Sequence, residues 1–432
     1  MLKIGFAESD ITPPLGTQIV GHFNDIRAEK INDPLFARAM VIDNGQAFIF
    51  VTCDLLSLRR STVMQARQRI EEATGIPGDH ISVSATHTHT GPITTHMFGG
   101  SPDPEYLETL VTGIATAAIE ACQRRVPGTL TAAYGFEGRY SQQRRFIMRD
   151  GKAQMHPPNG GTDILYQEGP SDPEIAVLWG ADETGKPLGC WVNFSCHVNV
   201  AQAGKTISAD YPGFLAAAMK RHQHTAFVTL FGNGTCGNLC QVNVYDATSV
   251  QWGLEFSQKM GEDLAADVLR IVPEGEKLDD PILEHRGAVI PLPIRHVPEE
   301  LIEWARGMQS VPPEEDYRER CYADMTLDLM ERQRLEPLVP AEINAFRLGD
   351  FAVVTLPGEI FVEFGLDIKL KSPAKRTWVV ELANGIVGYV PTKRAFEGGG
   401  YEQRTAMSSK LDPVAGEMMV ATARALLESM WR

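Results

Sequence analysis

The 432-residue sequence has no apolar run of the ~18 residues that a membrane-spanning helix needs. Basic residues are also scarce, because 40 Lys and Arg stand against 55 Asp and Glu, which gives a formal net charge of -15. Nucleic acids and anionic membrane surfaces select for basic patches, so we expect neither as a partner. The net charge does not indicate the substrate, which we expect to be a small molecule, and the sequence does not determine the oligomeric state.

No export signal is visible either, since Met1 to Phe6 lead directly into patterned sequence without a charged segment followed by an apolar one. The seven cysteines are an odd number, and reduced thiols in a cytoplasmic protein are the simplest interpretation. We therefore expect a cytoplasmic location. With 43% apolar and 22% charged residues, the chain has the composition of a globular protein with a substantial core.

Apolar runs alternate with segments of helical spacing along most of the chain. We predict strands in the run that begins at Ile81, near 174–180, 189–196, 226–230 and 283–294, and hairpins formed by 37–41 with 47–52, around Asn44-Gly45, and by 342–356, turning at Gly349-Asp350. We predict helices at 59–75, 105–125, 211–222 and 251–271. The pattern indicates an α/β fold with a mixed β-sheet core flanked by helices, and we expect a single catalytic unit over residues 1–432.

Two segments interrupt this alternation. Residues 137–171 are rich in Gly, Pro and Arg and predict a long ordered loop, a kind of segment that is often functional. Residues 297–309 and 314–334 predict two charged helices. We interpret 297–340 as an inserted helical subdomain or lid.

The segment from Ile81 to Pro92 contains two histidines, His87 and His89, directly before a Gly-Pro pair that ends regular structure. Residues i and i+2 of an extended segment point to the same side, so we expect both imidazoles to emerge together where a strand becomes a loop. Such a pair, completed by other histidines and by carboxylates, could form a zinc site. Solvated loop histidines are common, however, and this spacing alone is a weak signal.

Other strand ends carry further candidates. His197 follows the apolar run 191–196, where α/β sheets place their sites, although a buried structural histidine is an equal alternative. Glu359 follows Pro357-Gly358 and could bind a cation or interact with a helix dipole. Tyr389 lies in a glycine-rich stretch and, considered alone, would be interpreted as a core tyrosine.

Together these segments resemble the neutral/alkaline (non-lysosomal) ceramidase family, in its catalytic N-terminal domain. The matching segments occur in the family's order and cover nearly the whole chain: Ala7 to Pro14 with Gly16, Thr86 to Pro92, Asn193 to His197, Leu356 to Glu359, and Gly388-Tyr389 before Thr392. The Thr-His-Thr-His-x-Gly-Pro and Pro-Gly-Glu segments are specific in combination.

The resemblance implies a zinc hydrolase with one Zn²⁺ per chain. Its zinc ligands would be His87, His197, Glu359 and Tyr389. His89 would donate a hydrogen bond to the developing oxyanion, and Arg144 would contact the substrate, with Gln143 in place of the family's asparagine. Metal-bound histidines usually need an orienting partner, and we assign that role to Asp54 and Asp210.

The chemistry of these residue types agrees with such roles. Two histidines and a carboxylate are ordinary zinc ligands that leave a position for water. Bound zinc lowers the pKa of that water from ~15.7 to about 7, so a zinc-bound hydroxide is expected to attack a carbonyl carbon. The metal, His89 and Tyr389 would then stabilise the tetrahedral oxyanion.

The sequence also departs from the ceramidases. Their additional immunoglobulin-like C-terminal domain and their export are not expected here, and Gly237-Asn238-Leu239-Cys240 stands where the family has Gly-Asp-x-Ser. These differences weaken an inference to ceramide. We therefore expect hydrolysis of a linear amide (N-acyl) bond, a carbon–nitrogen bond other than a peptide bond, in a small soluble polar substrate such as an N-acyl amino sugar.

Three alternatives stay open. Cys236 or Cys240 could act as a thiolate nucleophile near His197 if its pKa were depressed, although a buried free cysteine is more often a small hydrophobe. The same metal site could hydrolyse an ester, a lactone or a glycosidic bond, because the fold does not determine the substrate. The scaffold could also serve a non-catalytic binding protein, against which the near-complete ligand set argues.

Overall fold

The structure is a computed structural model that describes residues 1–20, 25–96, 100–312 and 315–431. Residues 313 and 314, which fall within the predicted helical insertion, lie outside the described residues. Within the described ranges, no helix combines the length and apolar character needed to cross a bilayer.

Strands and helices alternate along the chain in this order. The strands of the first part are β1 (Lys3–Asp10), β2 (Lys30–Ile31), β3 (Phe36–Asp43), β4 (Ala47–Cys53), β5 (Ile81–Ala85), β6 (Val126–Phe136), β7 (Gln142–Gln143), β8 (Arg145–Met148), β9 (Ala153–Met155), β10 (Ile164–Gln167), β11 (Glu174–Asp182), β12 (Pro187–Phe194), β13 (Thr206–Ile207), β14 (Val228–Asn233) and β15 (Leu239–Cys240). The later strands are β16 (Glu276–Leu278), β17 (Leu283–Pro293), β18 (Leu338–Leu348), β19 (Phe351–Thr355), β20 (Glu359–Ile360), β21 (Arg376–Val380) and β22 (Tyr389–Val390). The helices are α1 (Arg60–Thr74), α2 (Pro104–Gln123), α3 (Asp210–His222), α4 (Leu254–Ile271), α5 (Glu299–Met308), α6 (Tyr317–Leu335), α7 (Val362–Lys371), α8 (Lys393–Gly398) and α9 (Ala415–Met430).

The largest sheet has the strand order β14-β12-β11-β6-β1-β3-β4-β5, with β16 beside β6. The pairs β4–β5 and β12–β14 are parallel and the other neighbours are antiparallel, so the sheet is mixed. Although β14 and β5 stand at opposite ends of this order, β14 also contacts β3, β4 and β5. The sheet is therefore strongly curled, and its two parallel pairs approach each other.

A second sheet, with the order β17-β18-β19-β21, packs against one face of the large sheet. Large aromatic side chains fill the space between the sheets. The ring centroids of Phe50 and Phe346 lie 5.0 Å apart, and those of Trp191 and Trp378 lie 5.7 Å apart. This core joins the first and last thirds of the chain.

Strand β4 shows why the apolar runs are continuous rather than alternating. Phe48 and Phe50 face the core between the sheets, whereas Ile49 and Val51 face the core formed with α1 and α2. Strands buried on both faces need apolar residues at every position. Helices α3 and α4 cover the same sheet near β11, β12 and β14, and α7 and α9 cover the second sheet.

The predicted α/β class, with a mixed sheet core flanked by helices, is confirmed. Both hairpins form, because β3 pairs with β4 and β18 with β19 in antiparallel register. The prediction of a loop over 137–171 is wrong in part, since β7 to β10 lie there. Strands of two to four residues are too short to show a period in the sequence.

The predicted insertion over 297–340 contains α5 and α6, as its charged helical segments indicate. Strand β18 begins at Leu338 and therefore lies partly inside that range. Ile302 of α5 and Leu329 of α6 are buried in the core of the second sheet. The division of the chain into one catalytic unit with a lid stays a prediction.

Candidate metal centre

Three histidines from two strand ends converge on one point. His87 lies two residues after β5 and His197 lies three residues after β12. Their Nε2 atoms are 3.0 Å apart, and the Nε2 atom of His89 is 3.4 Å from that of His87. His87 and His197 are buried, whereas His89 is half-buried. The curl of the large sheet brings these strand ends together.

The backbone of His87 does not continue the strand. Its φ is 80°, in the left-handed region that non-glycine residues seldom adopt, so the prediction that His87 and His89 share a side because of extended geometry is wrong. The turn is held by hydrogen bonds from the His87 backbone N–H to Leu55 O (2.8 Å) and from the His89 backbone N–H to Val198 O (3.1 Å). Strain of this kind costs roughly 1–3 kcal/mol and is typical of functional sites.

Hydrogen bonds at the opposite ring nitrogens determine the tautomers of His87 and His197. Nδ1 of His87 lies 2.9 Å from Leu56 O, and Nδ1 of His197 lies 3.3 Å from Cys236 O. A carbonyl oxygen only accepts, so each Nδ1 carries a proton, and in the neutral form of each ring Nε2 keeps the lone pair. Burial lowers the pKa of His197 well below its usual value, which keeps this ring neutral. When both rings are neutral, two lone pairs face each other at 3.0 Å and repel unless a metal ion or a shared proton lies between them.

Glu359 contributes a carboxylate to the same point. Its Oε2 atom is 3.4 Å from Nε2 of His87 and 3.9 Å from Nε2 of His197. Within the part of the chain that the structure describes, this buried oxygen has no hydrogen-bond partner. A buried carboxylate oxygen without a donor costs free energy unless a cation compensates it.

Tyr389 reaches the cluster through the pairing of two very short strands. Strands β20 and β22 are parallel, and Glu359 lies directly opposite Tyr389 in their register. Burial and the nearby Glu359 carboxylate raise the pKa of Tyr389 well above its ordinary value. The phenol therefore keeps its proton unless a cation beside it favours ionisation.

These groups form a donor set that fits a divalent cation. Two imidazole lone pairs and an unpartnered carboxylate oxygen converge, with a phenol beside them. Nitrogen and oxygen donors of these types are the ligands that zinc takes in catalytic sites. The four residues that would hold the ion are His87, His197, Glu359 and Tyr389.

Arg144 stands beside the phenol. Its Nη2 atom donates to Tyr389 Oη at 3.3 Å and to Gly237 O at 2.7 Å, and its Nε atom donates to Glu402 at 2.9 Å. Glu402 is fully buried; burial acts to raise its pKa, but Arg144 and Arg145 outweigh that effect and lower it. The carboxylate is therefore ionised and holds the guanidinium of Arg144 in place.

A cavity of about 720 Å³ has one residue of this cluster, Glu359, in its wall. Helix α6 forms part of the wall with Asp328, Glu331 and Arg332, and Lys410 also lines it. Burial lowers the pKa of Lys410 to about 8, with Arg332 acting in the same direction. The segment predicted as a lid thus borders the cavity next to the candidate metal ligands.

Comparison with known proteins agrees with this geometry. The family description "Neutral/alkaline non-lysosomal ceramidase, N-terminal" matches residues 2–262. The chain belongs to this ceramidase family. Glu359 and Tyr389 lie beyond the matched residues, so it is the structure that brings them to the two histidines of the family segment.

Solved ceramidase structures share the fold. The neutral ceramidase from Pseudomonas aeruginosa is similar with a TM-score of 0.76 at 19% identity, over 99% of this chain and 75% of that chain. A structure titled as a ceramidase complexed with C2 is similar with a TM-score of 0.79 at 18% identity, over 100% of this chain and 75% of that chain. A search of curated proteins finds no match.

The orienting groups predicted for the ligand imidazoles are wrong. Asp54 accepts hydrogen bonds from Phe36 N and Arg38 Nη1, and Asp210 accepts from Val200 N and Ala201 N. Neither carboxylate serves as the partner of a ligand histidine. The backbone carbonyls at positions 56 and 236 take that role, and no sequence signal marks a carbonyl for it.

In the segment Gly237 to Cys240, which resembles a ceramidase motif, Asn238 has a structural role. Asn238, which stands where the family has aspartate, donates from Nδ2 to Glu363 at 2.9 Å and accepts from Val362 N at 2.8 Å. It thereby joins the glycine loop to the start of α7.

Glu402 was also missed as a functional residue, although it lies directly after the glycine-rich stretch that contains Gly398 to Gly400.

The thiol alternative loses support at this site. Cys236 donates from Sγ to Glu381 Oε1 at 3.0 Å, and burial raises its pKa well above the usual value. Burial also raises the pKa of Cys240 to about 11. Both side chains are therefore neutral thiols at physiological pH, whereas a nucleophile needs the thiolate.

Proposed function

We propose that this member of the ceramidase family is a zinc-dependent hydrolase that cleaves a linear amide (N-acyl) bond in a small, polar, soluble substrate. The observation that carries the proposal is the pair of imidazole lone pairs at His87 and His197 facing each other beside the unpartnered Oε2 of Glu359. Such an arrangement is costly without a cation and favourable with one. A reducing compartment such as the cytoplasm suits the seven free cysteines.

A zinc ion held by these residues would supply hydroxide at neutral pH and polarise the carbonyl group. His89 lies at the edge of the same cluster and is half-buried, so a bound carbonyl group would come within its reach. We assign to His89 a hydrogen bond to the oxygen on which negative charge develops. Preorganised donors of this kind contribute a factor of about 10²–10³ to the rate.

Arg144 and Tyr389 act as a unit on the other side of the cluster. The guanidinium donates to the phenol oxygen, which orients the phenol, and Glu402 holds the guanidinium. The positive charge of Arg144 also favours negative charge on nearby oxygens. We assign substrate positioning to Arg144, and metal binding and oxyanion stabilisation to Tyr389.

The charged side chains in the cavity wall are the observation on which we base a polar substrate, and the apolar side chains of Met325, Leu335, Ile386 and Met407 line the same cavity. A volume of about 720 Å³ accommodates a compact small molecule. Asp328, Glu331, Arg332 and Lys410 place charged groups in that wall. A long alkyl chain laid along these side chains would desolvate charges without compensating them, whereas hydroxyl, amine or carboxylate groups of a polar substrate would pair with them.

Metal dependence is tested by alanine substitution of the ligands. His87→Ala and His197→Ala should each lose one zinc equivalent per chain by elemental analysis and reduce hydrolysis to background. His222, an exposed histidine on α3, provides the matched control, and His222→Ala should keep both zinc and activity. Full activity in a His87→Ala protein that contains no metal would refute the proposal.

The bond and the substrate class are tested with matched compounds. An N-acetyl amino sugar, its O-acetyl counterpart, a short-chain ceramide and a long-chain ceramide should be compared by kcat/KM. We expect the polar amide to be cleaved best and the long-chain ceramide worst. Cleavage of the ester with failure of every amide would replace amide hydrolysis by ester hydrolysis, and preference for the long-chain ceramide would refute the polar substrate.

A further inference from the structure

A second group of possible metal ligands lies away from the His87 cluster and shares no residue with it. Asp79 and His80 belong to the turn that precedes β5, and His285 lies on β17 of the second sheet. Each of the three offers a ligand atom, and these atoms lie within 4.8 Å of one another. Asp79 is exposed, His80 is half-buried and His285 is buried, so the group is open to solvent on one side.

The hydrogen bonds of His285 determine its tautomer. Asn344 donates from Nδ2 to Glu342 Oε1 at 3.0 Å, which fixes the orientation of its amide, because a carboxylate only accepts. The Asn344 oxygen is then the atom that faces His285 Nε2 at 3.0 Å. Nε2 of His285 must therefore carry the proton, and its Nδ1 atom keeps a lone pair. Glu342 is itself held by Arg67 Nη1 at 2.7 Å.

His80 shows the same arrangement with a backbone partner. Its Nδ1 atom lies 3.2 Å from Ala47 O, so Nδ1 carries a proton, and in the neutral form of the ring Nε2 keeps the lone pair. The amide nitrogen of Gln46 lies 3.4 Å from this Nε2 atom, in a long hydrogen bond that a metal ion would replace. Metal-binding histidines typically donate their second ring N–H to a carbonyl or amide oxygen, as both rings do here.

We propose that Asp79, His80 and His285 bind a divalent transition-metal ion such as Zn²⁺ or Ni²⁺. Two imidazoles and a carboxylate are ligands that these ions prefer, and the open side leaves positions for water. The ion would link the turn that leads into β5 to the second sheet. It would thereby stabilise the folded chain through the junction of the two sheets, independently of the proposed hydrolase activity.

The alternative is that His80 and His285 serve only in aromatic packing. The ring of His80 lies 5.5 Å from that of Phe48 and the ring of His285 lies 4.8 Å from that of Phe346, in each case between centroids. Packing of this kind gives no metal dependence. A metal titration therefore separates the two interpretations.

The experiment uses the 432-residue protein loaded with a single equivalent of zinc, titrates Ni²⁺ into it by calorimetry and follows thermal unfolding in parallel. We expect one further equivalent to bind, with a rise in the melting temperature of several degrees. Asp79→Asn, His80→Gln and His285→Gln should each weaken this binding at least tenfold, while His222→Ala should not change it. Asp79 is exposed, so Asp79→Asn keeps the test valid even if His285→Gln fails to fold.

Two results would overturn the proposal. One is the absence of a further equivalent in the unsubstituted protein that carries one zinc, which would leave aromatic packing only. The other is a further equivalent that persists unchanged in any of the three variants, because the three-ligand site requires every member. Zinc retained at the His87 cluster in all three variants would show that the losses are local.

Discussion

Arg144 and Arg145 are adjacent and buried, and both donate to the carboxylate of Glu402. Two guanidinium groups at neighbouring positions repel each other in a poorly solvated environment, and a shared carboxylate compensates both. Glu168 adds a second partner for Arg145. Glu402 therefore positions Arg144 against Tyr389.

Replacement of this carboxylate should cost both stability and rate. Glu402→Gln leaves buried positive charge without its full compensation, and we expect a loss of about 3–5 kcal/mol in the free energy of unfolding, together with a lower kcat. Glu319 pairs with Arg404 at a partly exposed site, so Glu319→Gln should cost about 0–1 kcal/mol. Urea denaturation of the two variants measures the difference, and equal losses would contradict the assigned role.

The pairing of β20 with β22 is the element that brings Glu359 and Tyr389 together. Each strand has only two residues, so the pairing depends on the turns around it. Gly388, directly before β22, has a φ of 91°, and a Cβ atom there would lie 2.4 Å from Ser408 O. A side chain at this position would have to displace backbone on which the site depends.

Substitutions at two glycines distinguish the effect of backbone strain from the effect of displacing the site. Gly185 has a similar φ of 83° but nothing within 4 Å of its Cβ position. Gly185→Ala should therefore cost about 1 kcal/mol of stability through strain alone and leave zinc content and activity unchanged. Gly388→Ala should lower zinc content and kcat in addition, as measured by elemental analysis and steady-state kinetics. Equal effects of the two substitutions would show that the approach to Ser408 is unimportant.

Across the molecule, one aromatic core holds the two sheets together. Phe48 and Phe50 of the large sheet meet Phe346 of the second sheet at centroid distances of 5.2 and 5.0 Å. The proposed metal ligands come from both sides of this junction, since His87 and His197 follow strands of the large sheet and Glu359 follows the second sheet. Packing between the sheets therefore sets the distance between the imidazoles and the carboxylate.

Truncation of an aromatic side chain in this core should destabilise both sheets together. Phe346→Ala should lower the free energy of unfolding by about 3–5 kcal/mol through lost burial and a residual cavity. Phe136, which is 71% exposed, is the control, and Phe136→Ala should change stability by no more than about 0.5 kcal/mol. Chemical denaturation followed by circular dichroism measures both, and a loss below about 1 kcal/mol for Phe346→Ala would mean that the sheets are held by other contacts.

Local sequence patterns were sufficient for the elements that depend on neighbouring residues. The Asn44-Gly45 and Gly349-Asp350 turns and the helices at α1, α2, α3 and α4 form where turn chemistry and 3.6-residue periodicity place them. The six candidate site residues could also be named from motifs. Short strands such as β7 and β20 could not be predicted, because two residues are too few to show a strand period.

Long-range geometry determined the chemistry of the centre. His87 and His197 are 110 residues apart, and they meet because the large sheet curls, which no local pattern encodes. The carbonyls of Leu56 and Cys236 orient the imidazoles in place of Asp54 and Asp210, because every residue has a carbonyl and only the fold decides which one faces a ring. The residue types in the sequence thus predicted a metal site, whereas the direction in which each ring nitrogen points is determined only in the folded chain.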